Sequence, residues 1–135
     1  MKYTTITLCL LMVIAGSAQD KPKEISTIDF VQILENQKDR AYHYYENNWS
    51  ILRALALERG YISSYQWIET EYTEEAPFHF MFITSYPDQK AFDDREANFR
   101  IIMEGRTMEL LDDQQPEVFR KSVFLKEAAK VLRRD

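Results

Sequence analysis

The sequence is poor in the residues on which several kinds of site depend. Cysteine occurs once, at Cys9, which excludes a disulfide framework and thiolate metal sites. There are three glycines in 135 residues, and no glycine-rich phosphate loop, nucleophile elbow or zinc-protease motif is present. Histidine occurs only at positions 43 and 79, so few residues are available for acid–base chemistry at neutral pH. We therefore predict no metal and no cofactor.

Basic residues and long apolar runs are also scarce. The chain has 17 basic and 22 acidic side chains, a formal net charge of −5, whereas nucleic-acid binding needs a basic stripe that displaces counterions. The basic residues near the C-terminus alternate with Glu127 and Asp135, a pattern typical of a solvated chain end. The longest apolar run, Ile6 to Ala15, is about half of the ~20 residues that a membrane-spanning helix requires. We predict neither a nucleic-acid partner nor a membrane span.

The N-terminal apolar run has the organisation of a secretory signal. Lys2 precedes it, and the small residues Gly16-Ser17-Ala18 follow it. We predict a signal peptide over residues 1–18, cleavage near Ala18, and a secreted or periplasmic location. Cys9 lies inside the apolar core, which argues against lipidation. Residues 19–24 are then a flexible lead-in, and residues 25–135 are a single domain, with enough of the chain's 45% hydrophobic and 13% aromatic residues to fill a core.

Hydrophobic periodicity predicts the element order β-α-β-β-α-β. The predicted strands are Ile25–Leu34, Tyr61–Tyr72, Phe78–Tyr86 and Val118–Leu125, and the predicted helices are Lys38–Arg59, which Gly60 ends, and a second from the cap Asp88 to Gly105. The segment Glu127–Leu132 is helix-prone, which leaves the end of the last strand open. This order is that of an α+β, ferredoxin-like fold, with two helices on one face of a four-stranded antiparallel sheet.

The third predicted strand has two apolar faces. Phe78, Phe80 and Phe82 alternate with His79, Met81 and Ile83. Strands that lose polar alternation are generally covered on both sides, and a symmetric partner is the simplest cover for the face without helices. We therefore expect a homodimer. The alternative is a monomeric open sheet that the segment Glu127–Leu132 covers.

Two stretches resemble known proteins. LERGYISSYQW, where a long helix breaks into an aromatic strand, and FITSYPDQKAF, where a strand leads into the second helix, resemble the dimeric α/β-barrel superfamily, and within it small antibiotic-biosynthesis-monooxygenase-like domains. The resemblance covers about Ile25 to Leu125 and implies two ferredoxin-like subunits that pack sheet to sheet. Haem-handling relatives have a histidine on the helix after the central strand. The matching segment here, AFDDREANF, has none, which argues against haem.

The candidate ligand-binding residues are Tyr65, Trp67 and Met81, and we expect them to line one barrel cavity together with His79. The leading hypothesis is that this cavity binds a small apolar or aromatic molecule. One alternative is a cofactor-independent monooxygenase or isomerase with His79 as the general base. Another is a non-catalytic structural or interaction domain whose barrel its own side chains fill. His79 is also compatible with a hydrogen-bonded structural position.

The remaining polar groups favour surface roles. His43 shares a helix face with Glu46, which indicates a surface pair, because two protein ligands do not close a metal site. Arg53, Arg95 and Arg100 are expected to pair with the carboxylate clusters on the surface. Asn48-Trp49-Ser50 is an N-glycosylation sequon, but it lies within a predicted helix, so we expect it to be unmodified.

Overall fold

The computed structural model describes residues 23–133, so the predicted signal peptide over residues 1–18 lies outside the described residues. The strands are β1 (Ile25–Ile33), β2 (Ser64–Glu69), β3 (Phe80–Tyr86) and β4 (Arg120–Lys130). The α-helices are α1 (Lys38–Tyr44), α2 (Ser50–Glu58), α3 (Gln89–Asp93), α4 (Arg95–Met103) and α5 (Pro116–Phe119). A π-helical turn, Tyr45–Trp49, joins α1 to α2, and a 3₁₀ turn, Leu111–Asp113, precedes α5.

The strands form one antiparallel sheet in the order β2-β3-β1-β4. The helices α1 and α2 connect β1 to β2, and α3 and α4 connect β3 to β4. This is the strand order of a ferredoxin-like domain, so the predicted α+β, ferredoxin-like fold is confirmed.

Local sequence explains where the helices begin and end. The Asp88 side chain accepts a hydrogen bond from the Ala91 backbone N–H at 2.8 Å, which caps the start of α3. Gly60 follows α2 with φ +70°, and Gly105 follows α4 with φ +73°. Residues with a side chain are strained in this left-handed conformation, which is why glycine is common where a helix ends. The start of α3 and the ends of α2 and α4 therefore lie where the sequence predicts them.

The core lies between the sheet and the helices. One cluster of buried residues consists of Val31, Ile33, Ala41, Tyr45, Phe80, Phe82 and Phe119, and a second consists of Ile25, Ala56, Ile62, Tyr86, Phe92 and Ile102. Both clusters take odd-numbered residues from β1 and even-numbered residues from β3. Because side chains alternate along a strand, the remaining residues of these strands lie on the opposite side of the sheet.

We call this opposite side the open face. Its apolar residues are Ile28, Phe30, Ile68, Met81, Ile83 and Phe124, as the strand register shows. Phe124 is 52% exposed, and its ring lies 6.2 Å from that of Phe30. The open face is therefore apolar at its centre, as expected for the third strand.

The last strand differs from the predicted one at both ends. β4 continues to Lys130, which pairs with Ile25, so most of the helix-prone segment Glu127–Leu132 belongs to the sheet and does not cover it. Pairing along the whole of β1 overrides the local helix propensity here. The alternative of a monomeric sheet that this segment covers is therefore wrong. Val118 lies in α5, because Pro116 begins this short helix at a position that favours proline.

β2 is shorter than the predicted strand Tyr61–Tyr72, since its pairing with β3 extends only from Ser64 to Glu69. Within residues 23–133, no helix has the length and apolar character needed to cross a bilayer.

Candidate functional site

A cavity of about 380 Å³ lies between the sheet and the helices. Phe82, Thr84 and Tyr86 of β3 form part of its floor, while Trp49 and Phe99 stand over it from the helices. Strand β4 borders it with Arg120, Leu125 and Glu127. A volume of this size falls in the range of small-molecule sites.

Aromatic rings in tilted contact form one wall of the cavity. The ring centroids of Tyr45 and Phe82 are 4.2 Å apart, and those of Trp49 and Phe82 are 4.8 Å apart. Tyr45 and Trp49 are the two ends of the π-helical turn. Such turns are uncommon and occur frequently at functional sites. This wall of the cavity is aromatic and apolar.

Arg53 brings a positive charge to this wall. Its Nε donates a hydrogen bond to Thr84 Oγ1 at 2.9 Å, and its guanidinium carbon lies 4.2 Å from the Phe99 ring centroid and 5.1 Å from that of Trp49. Burial lowers the pKa of Arg53, yet an arginine keeps its charge in proteins. Within residues 23–133, no carboxylate oxygen lies within 4.0 Å of its side-chain nitrogens.

Two more polar groups at the cavity are buried and form no hydrogen bond of good geometry with the described part of the chain. They are the Tyr45 hydroxyl and Arg120 Nε. Burial raises the pKa of Tyr45 well above its usual range, with the nearby charge of Arg120 opposing the effect, so this hydroxyl stays protonated. The Tyr45 hydroxyl and the Arg120 guanidinium are neighbours within hydrogen-bonding reach, because a side-chain hydrogen bond from Arg120 also opposes the rise in the pKa of Tyr45, so the two form one polar group at the cavity.

Asp29 and Arg95, two other charged residues at the cavity, have partners. Asp29 accepts a hydrogen bond from the Ser122 hydroxyl. Arg95 lies 3.8 Å from a carboxylate oxygen of Glu96, and it also donates to the Phe92 carbonyl at 3.0 Å. Arg53 and Arg120 therefore differ from Arg95, because neither forms an ion pair with any residue the structure describes.

The chain is similar to the crystal structure of HapK from Hahella chejuensis, with a TM-score of 0.49 and 14% sequence identity over 81% of this chain and 92% of that one. No family model and no curated protein matches the sequence.

The structure does not bring the four predicted site residues together. Tyr65 pairs with Thr84 and Trp67 with Phe82, so both tyrosine and tryptophan lie on the helix-covered face. Met81 lies on the open face. The expectation that these residues line one cavity is therefore wrong. The register of a strand decides which face of the sheet each side chain occupies, and a shift of one residue moves every side chain to the other face. Trp67 instead packs on Phe80, with ring centroids 5.2 Å apart, behind the cavity wall.

His79 occupies a structural position at the start of β3. Its Nδ1 accepts a hydrogen bond from the Ile33 backbone N–H at 3.0 Å, and its ring lies 5.4 Å from that of Tyr72. Burial lowers the pKa of His79, the charge of Lys38 adds to this, and Glu69 opposes it. A neutral imidazole that accepts at Nδ1 carries its proton on Nε2 and has no free basic nitrogen. This geometry supports the hydrogen-bonded interpretation of His79.

Two polar residues of the first helical segment, His43 and Asn48, contact Glu109. His43 Nε2 lies 3.4 Å from Glu109 Oε1, so its acidic neighbour is Glu109 and not the expected Glu46. Asn48, the sequon residue, donates to the carbonyls of Tyr44 and Glu109 at 2.9 and 2.7 Å and accepts from the Glu109 N–H at 2.7 Å. In the described chain, no group of three or more His, Cys, Asp or Glu residues is placed to hold a metal ion.

Sequence reasoning missed Arg53 and Arg120 as site residues. Arg53 was expected to pair with surface carboxylates, and the structure shows no such pair. A signal was available for Arg53, because it lies four residues after Trp49 and next to Leu52, within the apolar stripe of the first helix. No comparable signal marks Arg120, since its position depends on how β4 pairs with β1.

Proposed function

We propose that this chain is an exported binding domain whose cavity holds a small apolar or aromatic molecule. The observation that carries the proposal is the cavity of about 380 Å³ with a wall of aromatic rings in contact. Known ligand sites combine such apolar walls with a few polar groups that orient the ligand. Here Arg53, Arg120 and the Tyr45 hydroxyl are those groups.

Native mass spectrometry of the chain purified from an exporting host, with minimal washing, tests this proposal. We expect extra mass on the wild-type protein. Met103→Trp should remove it, because Met103 borders the cavity and is 49% exposed, so a larger side chain there blocks the cavity without disturbing the core. The matched control is Ile101→Trp, which lies on the same helix, is 53% exposed and does not border the cavity. Retention of the extra mass by Met103→Trp would place the ligand elsewhere and contradict the proposal.

The alternatives have less support. A monooxygenase or isomerase that uses His79 as its base would need a free imidazole nitrogen at the cavity, but His79 Nδ1 accepts the Ile33 N–H and His79 does not border the cavity. A structural domain with a filled interior does not account for a cavity of this volume.

We further propose that the protein acts as a homodimer through the open face. Antiparallel sheets of monomers commonly present a polar face to water, whereas this face has six apolar residues at its centre. Sedimentation equilibrium should give a dimer at micromolar concentration, and Phe124→Glu should shift it to a monomer. Leu57→Glu, on the exposed side of α2, is the control and should leave the dimer intact. A wild-type protein that is monomeric throughout this range would exclude the dimer.

Export rests on the N-terminal pattern of Lys2, the apolar run and Gly16-Ser17-Ala18. N-terminal sequencing of the protein recovered from an exporting host should begin at Gln19. A chain that retains Met1 or the apolar run would contradict both the signal peptide and the proposed location.

A further inference from the structure

Two cations without carboxylate partners border the cavity of an acidic protein. This inference rests on the proposed function and concerns the chemical class of the ligand. The chain has a formal charge of −5, so acidic side chains outnumber the basic ones that need partners. Even so, in residues 23–133 neither Arg53 nor Arg120 has an ion pair. A partly buried charge is costly unless something compensates for it.

The guanidinium of Arg53 is held in place but leaves most of its donors unused. Its Nε–H is bound to Thr84 Oγ1, and the rings of Trp49 and Phe99 stack near it. A guanidinium has five N–H groups in a planar fork. The terminal nitrogens of Arg53 form no hydrogen bond with the described residues, and the side chain borders the cavity. The immobilised fork matches the planar oxygen pair of a carboxylate.

The surroundings of Arg53 favour an anion with a flat apolar body. Trp49 lies beside Arg53, and the tilted rings of Phe82 and Tyr45 continue the wall from it. Arg120 adds positive charge on the β4 side of the cavity. The carboxylate of Asp29 also borders the cavity, and one of its oxygens accepts a hydrogen bond from the Ser122 hydroxyl. Glu127 also borders the cavity, and we expect its charge to matter less because the residue is exposed to water.

We propose that the ligand is an aromatic carboxylate whose carboxylate group binds to Arg53. The aromatic body then lies against Trp49 and Phe82, and the charge of Arg120 stabilises the bound anion. Water is largely displaced from such a contact, which makes a charge-assisted hydrogen bond stronger than the same contact on the surface.

Calorimetric titration with 2-naphthoate and with its uncharged isostere 2-naphthamide, in about 0.1 M salt to screen surface charges, tests this assignment. The wild type should bind naphthoate about tenfold or more tightly than naphthamide, as expected for a charge-assisted pair. Arg53→Met should lose that preference and still bind naphthamide. The matched control Arg100→Met, an exposed position on α4 away from the cavity, should keep the preference.

Each other outcome has a definite meaning. Equal affinity of the wild type for the two compounds overturns the carboxylate assignment and leaves the proposed binding function standing. Binding of neither compound overturns both. If Arg53→Met fails to fold by circular dichroism, Arg53→Lys takes its place. Lysine keeps the charge and lacks the planar fork, so the preference should fall several-fold, and a full preference in that variant would overturn the role of Arg53.

Discussion

The hydrogen bond between His79 and Ile33 leads to a prediction about stability. In His79→Ala, the backbone N–H of Ile33, a residue only 5% exposed, loses the acceptor that lies 3.0 Å away. Leaving a buried donor unpaired costs about 1–3 kcal/mol. The lost contact with the exposed Tyr72 ring adds about 0.5 kcal/mol, the low end for ring pairs. We expect the free energy of unfolding to fall by about 1.5–3.5 kcal/mol.

Urea denaturation at pH 8, followed by circular dichroism, measures this loss. His79→Asn is the informative control, because an asparagine side-chain oxygen can take the place of Nδ1 as acceptor. His79→Asn should therefore retain most of the stability that His79→Ala loses. The reasoning would be refuted if His79→Ala unfolds at the wild-type urea concentration, or if the alanine and asparagine variants are equally destabilised.

The same hydrogen bond predicts a pH dependence. The pKa of His79 in the folded chain lies below its usual value of about 6.5, so the folded state disfavours protonation. The contribution of His79 to stability is therefore fully present above about pH 6.5 and is lost as the pH falls through the folded-state pKa. His79→Asn should show a smaller loss of stability than the wild type across this interval, and an identical loss would assign the pH dependence to other groups.

Three further substitutions test the fold, each by urea denaturation. Phe80→Ala should cost about 3–5 kcal/mol, because Phe80 is fully buried among aromatic rings, and a loss below ~2 kcal/mol would contradict that packing. Asp88→Ala should cost about 1 kcal/mol by removing the cap of α3, whereas Asp88→Asn should be nearly neutral. Gly60→Ala should cost about 1 kcal/mol through its φ of +70° alone, since no atom lies within 4 Å of the added Cβ; Gly60→Asn should cost less.

Features that depend on neighbouring residues were predictable from the sequence. The cap at Asp88 and the helix ends at Gly60 and Gly105 follow from local backbone chemistry. The alternation in the third strand correctly indicated a sheet with one helix-covered face and one apolar open face. The element order then allowed only a few topologies, of which the ferredoxin-like one is observed.

Features that depend on distant pairing were not predictable. The sequence contains no sign of which β3 residue faces Trp67, and this register decides that Trp67 lies in the core and Met81 on the open face. The strand character of residues 127–130 likewise comes from pairing with β1. The candidate site was not predictable for the same reason. Arg53 and Arg120 border one cavity only when α2, β3 and β4 are assembled. The homodimer and the signal peptide stay predictions.

The π-helical turn Tyr45–Trp49 makes the cavity sensitive to chain length at one point. An α-helix turns by about 100° per residue. Deleting a single residue within this turn, such as Asn47, would let α1 and α2 join as one regular helix, and would rotate everything after the deletion relative to everything before it. Tyr45 could keep its place on Phe82 while Arg53 left the cavity. Homologous chains that differ by one residue here would thus share this fold and core but differ in the charge that they present to a ligand.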